Sequence, residues 1–355
     1  MFRLNFQILF LALKFISASL EYALNWTELP NEADWIQVPN PTWQLTWVHR
    51  SVVEAQNRVK WGSNEVDVSF VFFSRENDSG ATFRLSDIQN VDESSFDASR
   101  PTRVIVHGWM NHRDSPLNVQ IRKTYLSGWD YNVIVVDWSS CAGRMNYIAA
   151  AACVKTVGEI VGRMLWQLRT SKRLLLDDVY VIGHSLGAHV AGVSGKTVGR
   201  ARLSTIVALD PALPLFSGWH KDNRVDKDDA KYVEVIHTNG GLLGFLEPIG
   251  TADFYPNGGV VQPGCGINFA GICAHSRAWE LFVESLIEPE EYLMATQILS
   301  IGNLPFIGGY NTNNTNNNKL AKMGGNPSNS NGQADGLYYM ITSDTSPYFV
   351  PNKPN

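Results

Sequence analysis

Apolar residues along the chain come in short blocks rather than in one long run. Residues 66–74 (VDVSFVFFS), 102–109 (TRVIVHGW), 131–138 (YNVIVVDW), 178–185 (DVYVIGHS), 203–211 (LSTIVALDP) and 231–238 (KYVEVIHT) are rich in β-branched residues and end in polar, Gly or Pro punctuation. That is the signature of buried strands. Between the third and fourth, residues 154–168 repeat Val154, Val157, Val161, Met164, Leu165 and Leu168 at three- and four-residue steps, which predicts an amphipathic helix covering a sheet face. Strand alternating with helix implies an α/β domain built on a mostly parallel sheet. Ahead of the first block, a Trp- and Pro-rich stretch to Asn64 reads as a segment wrapping the surface. Towards the other end, residues 311–318 (NTNNTNNN) and 326–333 (NPSNSNGQ) read as loops of an Asn-rich insertion at about 310–333, before a closing strand near 337–342. One domain over 20–350 accommodates all of this.

Composition narrows the function classes. The chain has 355 residues, 44% of them hydrophobic, enough for a sizeable core. Its net charge is -5, and its 29 basic residues are scattered, which argues against nucleic acid as a partner. Residues 1–19 (MFRLNFQILFLALKFISAS) combine Arg3, an apolar stretch and a small-residue exit, the pattern of a secretory signal peptide, although Lys14 interrupts it. An uncleaved anchor or a buried helix is the competing reading. Asn25, Asn77 and Asn313 stand in glycosylation acceptor patterns, which fit an exported chain. Four cysteines form two local couples, Cys141 with Cys153 and Cys265 with Cys273; an even number in an exported chain favours two disulfides over a metal cluster. For Cys141 and Cys153, buried free thiols are the alternative.

The candidate chemistry centres on GHSLG, residues 183–187, with a strand before it and a helix-prone stretch after it. Gly183 and Gly187 permit a sharp strand-to-helix turn that holds Ser185 exposed as a nucleophile. The same turn aims the Leu186 amide at a reacting carbon, at a helix start whose dipole favours negative charge. A second oxyanion donor is expected from the strand end His107-Gly108-Trp109; the competing reading is that His107 and Trp109 only fill the core.

In the strand-turn-helix hydrolases the chain order is serine, acid, histidine. Asp210 ends the next apolar run and Pro211 stops it, so its carboxylate is expected on the same sheet edge as Ser185; Asp253 and Glu247 are alternatives, and Asp137 precedes the serine and reads as a capping residue. Four histidines follow Ser185. His189 lies within the helix, His220 in a charged stretch and His237 at a strand end, whereas His275 stands two residues beyond Cys273, where a disulfide would fix the loop presenting it. That favours His275 as the base, with Asp210 orienting its ring.

The ordered motifs VIVHGW, NVIVVDW, VIGHSLGAHVAG, ALDPA, RVDKDDAKYVEVIHTNGG, ADFYPNGGVVQPGC and CAHSRA resemble the pancreatic lipase family of α/β-hydrolases from Val66 to about Glu290. The resemblance implies a mostly parallel central sheet with helices on both faces, the triad Ser185, Asp210 and His275, and oxyanion amides from Trp109 and Leu186. No cofactor is required for that chemistry. It also implies a structural calcium, with Asp226 and Asp229 as side-chain ligands and Lys221 and Arg224 as carbonyl ligands; a solvated charged loop is the competing reading.

Two departures bear on substrate. Cys265 and Cys273 enclose only GINFAGI, too short for the long amphipathic lid of triacylglycerol-cleaving members, and the loop TNGGLLGFLEPIGTA is short as well. Both are similar to the phospholipase A1 branch, whose open site admits a polar head group, so sn-1 cleavage of phospholipid at a membrane or lipid-droplet surface is the expectation and neutral glyceride hydrolysis the alternative. Too little chain follows Glu290 for the family's C-terminal β-sandwich, which makes colipase an unexpected partner. Some family members are non-catalytic yolk-type lipid carriers; Ser185, Asp210 and His275 count against that class. A serine peptidase would not need the LDPA and C-x-H-x-R-A set.

Overall fold

The structure is a computed structural model, and it describes residues 34–57, 66–92, 95–199, 202–217, 221–266, 271–304, 315–329 and 334–349. The leader, Asn25, Asn313 and His220 lie outside the described residues. Two strands, β1 (Trp35–Pro39) and β2 (Leu45–His49), pair antiparallel and lead into α1 (Arg50–Asn57). The main body then runs β3 (Ser69–Phe73), β4 (Ala81–Phe83), β5 (Thr102–Val106), α2 (Pro116–Gly128), β6 (Asn132–Asp137), α3 (Ser139–Ala142), α4 (Tyr147–Ala152), α5 (Val154–Lys172), β7 (Val179–His184) and α6 (Leu186–Val198). It continues with β8 (Leu203–Leu209), β9 (Ala230–Ile236), β10 (Ala252–Pro256), α7 (Ile272–Ser285), β11 (Met294–Ile298), β12 (Thr315–Lys322) and β13 (Gly336–Met340).

Strands β3 to β13 form one sheet in the order β12-β11-β13-β10-β9-β8-β7-β5-β6-β3-β4. Every pairing from β6 across to β13 is parallel. Only the two margins are antiparallel. The buried runs explain this arrangement, because a strand covered on both faces needs apolar residues pointing both ways. Along β5, Val104 and Val106 join one core layer with Val157, Val161 and Met164 of α5, while Ile105 joins the other with Ile121 and Tyr125 of α2 and Leu281 and Phe282 of α7. Helices therefore cover both faces. Each fully buried aliphatic side chain contributes about 1.5–3 kcal/mol to this packing. The described residues contain no C-terminal β-sandwich.

The expected strands and the helix 154–168 appear, with α5 running on to Lys172 and ending at Arg173 in the left-handed region, φ 64°. Three features differ from the sequence expectation. The Trp-rich segment is not a bare wrap: it forms β1, β2 and α1, and the Trp43 ring meets that of Trp109 edge-on at 4.9 Å. Residues 315–318 are strand, not loop, since β12 pairs antiparallel with β11; backbone pairing at a sheet margin overrides the poor strand propensity of Asn. Ser328 and Asn329 are buried, and the Asn326 side-chain oxygen accepts a 3.0 Å hydrogen bond from Arg103, so that stretch packs under the sheet.

Candidate active site

β7 ends at His184, and the chain reverses at Ser185 with φ 58° and ψ -124° before α6 begins. A non-glycine residue in that region costs on the order of 1–3 kcal/mol and persists only where its surroundings fix it. Here the Ser185 amide donates to Leu209 O at 3.0 Å, and Ser185 O accepts from Ala188 and Ala212. Close approach completes the turn. A Cβ at Gly187 would stand 2.2 Å from Val106 O, and one at Gly108 would stand 2.8 Å from the Ser185 Cβ. Both glycines are thus steric requirements of the elbow.

Asp210 directly follows β8, fully buried and in the left-handed region at φ 41°. One carboxylate oxygen accepts the amides of Thr238 and Asn239 at 2.8 and 3.0 Å; the other meets His275 Nδ1 at 2.5 Å. A carboxylate accepts, so Nδ1 carries the proton and Nε2 is left as the basic nitrogen. His275 lies in the first turn of α7 rather than in a loop, its amide donating to Gly271 O. The Cys265–Cys273 disulfide ties that turn to the preceding segment, and residues 267–270 inside its ring lie outside the described residues. Cys141 and Cys153 form the second disulfide.

Serine and histidine are neighbours through His184: its ring centroid is 4.6 Å from that of His275, and its Nε2 bonds His275 O at 3.0 Å. Among the described residues the Ser185 hydroxyl makes no hydrogen bond. Such contacts are often loose before substrate binds. Trp109 is buried, its indole nitrogen donating to Arg144 O at 2.7 Å and its ring against Tyr147, so the chain beside Gly108 is held in place. Neither the Trp109 nor the Leu186 amide is engaged by a backbone acceptor among the described residues.

The alternatives are committed elsewhere. Burial raises the Asp137 pKa, but hydrogen bonds from His107 and Ser139 outweigh it and hold the group at about 2. Asp253 accepts from His237 and from the amides of Ile249 and Gly250, and Glu247 is exposed. His189 donates from Nε2 to Ala212 O and accepts Val225 N–H at Nδ1; burial holds it neutral, with its pKa down to about 3. His184 is likewise pushed down to about 3, by burial first and by His275 second. Lys221, Arg224, Asp226 and Asp229 sit together against α6. There Asp229 pairs with Lys196, and Asp226 pairs with Lys221 at 2.9 Å. Among the described residues no group of three or more His, Cys, Asp or Glu side chains is arranged to hold a metal.

Sequence reasoning missed the residues that hold the acid. Thr238 and Asn239 supply its amides, and Gly244 lies over it so closely that a Cβ would be 2.4 Å from both carboxylate oxygens. The signal was the TNGG turn signature directly after a strand.

A family model described as Lipase matches residues 41–348. Pancreatic triacylglycerol lipase of Mus musculus is 32% identical over 64% of this chain and 54% of its own length. Phospholipase A1 of Vespula vulgaris is 34% identical over 61% of this chain and 67% of its own. Inactive pancreatic lipase-related protein 1 of Mus musculus is 33% identical over 65% and 53%. The chain thus spans about half the length of the two mouse relatives.

Proposed function

The chain belongs to the pancreatic lipase family, and from that premise we propose that it is a secreted phospholipase A1 acting through Ser185, His275 and Asp210. The observation that carries the catalytic part is the buried Asp210–His275 bond at 2.5 Å beside a serine on a strained elbow. In this reading His275 Nε2 removes the Ser185 proton as the hydroxyl oxygen attacks the ester carbonyl. The amides of Trp109 and Leu186 receive the oxyanion; losing one such donor costs about 100-fold or more. The tetrahedral adduct collapses, His275 returns its proton to the departing alcohol, and water then hydrolyses the acyl-serine by the same route. No cofactor enters.

Two observations support the phospholipid reading. The ring between Cys265 and Cys273 is short, and the segment after β9 folds down onto the acid, with Leu213 N–H bonding Leu243 O and Phe245 N–H bonding Pro211 O. In this reading the short ring and the folded-down chain leave room for a polar head group. Exposed Met110, Met145, Leu242 and Val261 all lie in segments beyond the C-terminal ends of parallel strands, the edge that carries Ser185, and suit contact with a lipid surface. Export rests on the leader pattern and on the Asn77 acceptor.

Fatty-acid release from sn-1-labelled phosphatidylcholine and from triolein, measured side by side for the wild type and Ser185→Ala, decides the matter. Phospholipid cleavage abolished in the variant is expected. Cleavage of triolein alone would keep the triad and replace the substrate, and silence on both would favour a lipid carrier.

A further inference from the structure

The segment 221–229, for which the family resemblance implies a calcium ion, does not offer a divalent metal the oxygens it needs. Calcium takes about six to eight oxygen ligands. Among the described residues every atom expected to serve except Asp226 Oδ1 already has a partner. Arg224 O accepts Lys196 Nζ at 2.9 Å, and one Asp229 oxygen takes the same ammonium. The other Asp229 oxygen accepts the Asp226 amide at 2.8 Å. Asp226 Oδ2 is 2.9 Å from Lys221 Nζ and 3.7 Å from the Arg224 guanidinium, and Lys221 O faces the Arg224 amide at 3.4 Å. Asn223 Oδ1, buried and unpartnered, and Asp226 Oδ1 are the open oxygens, well short of the roughly six to eight that calcium takes. Two carboxylates therefore stand among three cationic side chains, and a divalent ion would add charge where the existing charge is already answered.

We propose that the Lys196 ammonium is the resident cation of this segment, standing where the resemblance puts calcium and clamping the nucleophile helix without a metal. An ammonium has three donors and no acceptor, so it uses the same oxygens a metal ion would use. Its reach is fixed by packing. Lys196 lies in the last turn of α6, one residue after Gly195, where a Cβ would come within 2.1 Å of Asp229 O. Helix and segment touch there, and the short gap suits a side chain crossing from one to the other. The Asp229 carboxylate is nearly sealed from water, at 3% exposure.

The clamp matters because of what hangs on α6. Ser185 precedes its first turn, and His189 in its second turn binds both Val225 N–H of the clamped segment and Ala212 O beside the acid. Lys196 and His189 thus fix one side of the helix to the chain that leaves β8 at Asp210. Lys196 is a positioning residue in this scheme and touches no substrate.

The test uses the purified full chain. Wild-type Tm after exhaustive chelation with EDTA, and again with millimolar calcium, is expected to stay within about 1 °C of the untreated value, because only a ligand that binds the native state shifts it. Equilibrium dialysis with radioactive calcium is expected to give no stoichiometric binding. Lys196→Ala leaves Asp229 buried without its cation, so its Tm in EDTA is expected to fall by on the order of 10 °C; Lys196→Arg keeps a cation and is expected to recover most of that. Calcium is expected to raise the Tm of Lys196→Ala, having taken the vacated oxygens. A wild-type Tm that falls in EDTA and returns with calcium would overturn the proposal, and so would Lys196→Ala with an unchanged Tm or no response to calcium. Should that variant fail to fold, wild-type dialysis and melting still decide.

Discussion

Two buried histidine–aspartate pairs lie at one edge of this sheet, and they differ in what they leave over. His237 follows β9 and faces an oxygen at each ring nitrogen, Phe245 O at 2.7 Å and Asp253 at 2.9 Å, with its ring flat on Tyr255. His275 spends Nδ1 on Asp210, and among the described residues its Nε2 has no hydrogen bond. Both aspartates take backbone amides as well. Pairing with a carboxylate therefore does not mark a base. A base also needs a nitrogen left over, and the first histidine has none: it is a strut between β10 and the chain that folds over Asp210.

The strongest way to break that distinction is to remove each ring in turn. His275→Ala is expected to lower kcat by about 10⁴-fold or more and, since Asp210 is left buried on its two backbone amides, to lower Tm as well. His237→Ala is expected to have little effect on kcat and to lower stability by about 3–5 kcal/mol, because Asp253 is left buried with only the amides of Ile249 and Gly250. Initial rates and thermal melts on both variants check this; a His237→Ala protein that melts normally yet is inactive would erase the difference.

A smaller effect probes the acid without touching either ring. Gly244→Ala puts a methyl 2.4 Å from both Asp210 carboxylate oxygens, so the acid or the chain above it must shift. Since misplacement of about 1 Å costs on the order of 100-fold, kcat is expected to fall by about 10- to 100-fold with KM nearly unchanged. An unaltered kcat would mean that the chain above Asp210 yields freely and does not hold it.

The sequence made one of these pairs legible and hid the other for a physical reason. Ser185 was readable because a strand-to-helix reversal demands glycines at fixed spacing, and Asp210 because Pro211 marks the strand end. His237 and His275 are both histidines near strand or helix ends, and only the three-dimensional neighbours show which nitrogen is spent. The central parallel strands were visible as β-branched runs. β10 was not, because Asp253 interrupts its apolar run, nor was β12, whose partner β11 dictates strand where asparagine suggests loop. Lys196 was invisible in the same way, since its meaning depends on Arg224 O and Asp229 arriving from thirty residues further along.

A third carboxylate sharpens the comparison, since it has no histidine at all. Glu234 on β9 sits opposite Ala252 of β10, next in register to Asp253, and is fully buried. Among the described residues its oxygens accept only Tyr232 O–H at 3.1 Å and the Gly324 amide at 2.6 Å, and burial pushes its pKa to about 7, although those bonds and Lys322 pull the other way. The folded pKa is raised above the ordinary 4.5, so below about pH 4.5 both states are protonated and the folded state bears no penalty. As pH rises from there to about 7, the unfolded chain releases the proton that the native chain retains, and stability falls by about 3 kcal/mol before levelling off. Glu234→Gln keeps an uncharged acceptor, Oε1, for the Gly324 amide, lets the Tyr232 hydroxyl turn to accept from Nε2, and removes the titration. Urea unfolding at pH 4.5 and pH 7.5 is thus expected to show the variant gaining on the wild type as pH rises. A constant difference between the two proteins across that window would mean that Glu234 ionises in place, and that a buried carboxylate at this sheet edge needs no histidine to carry its charge.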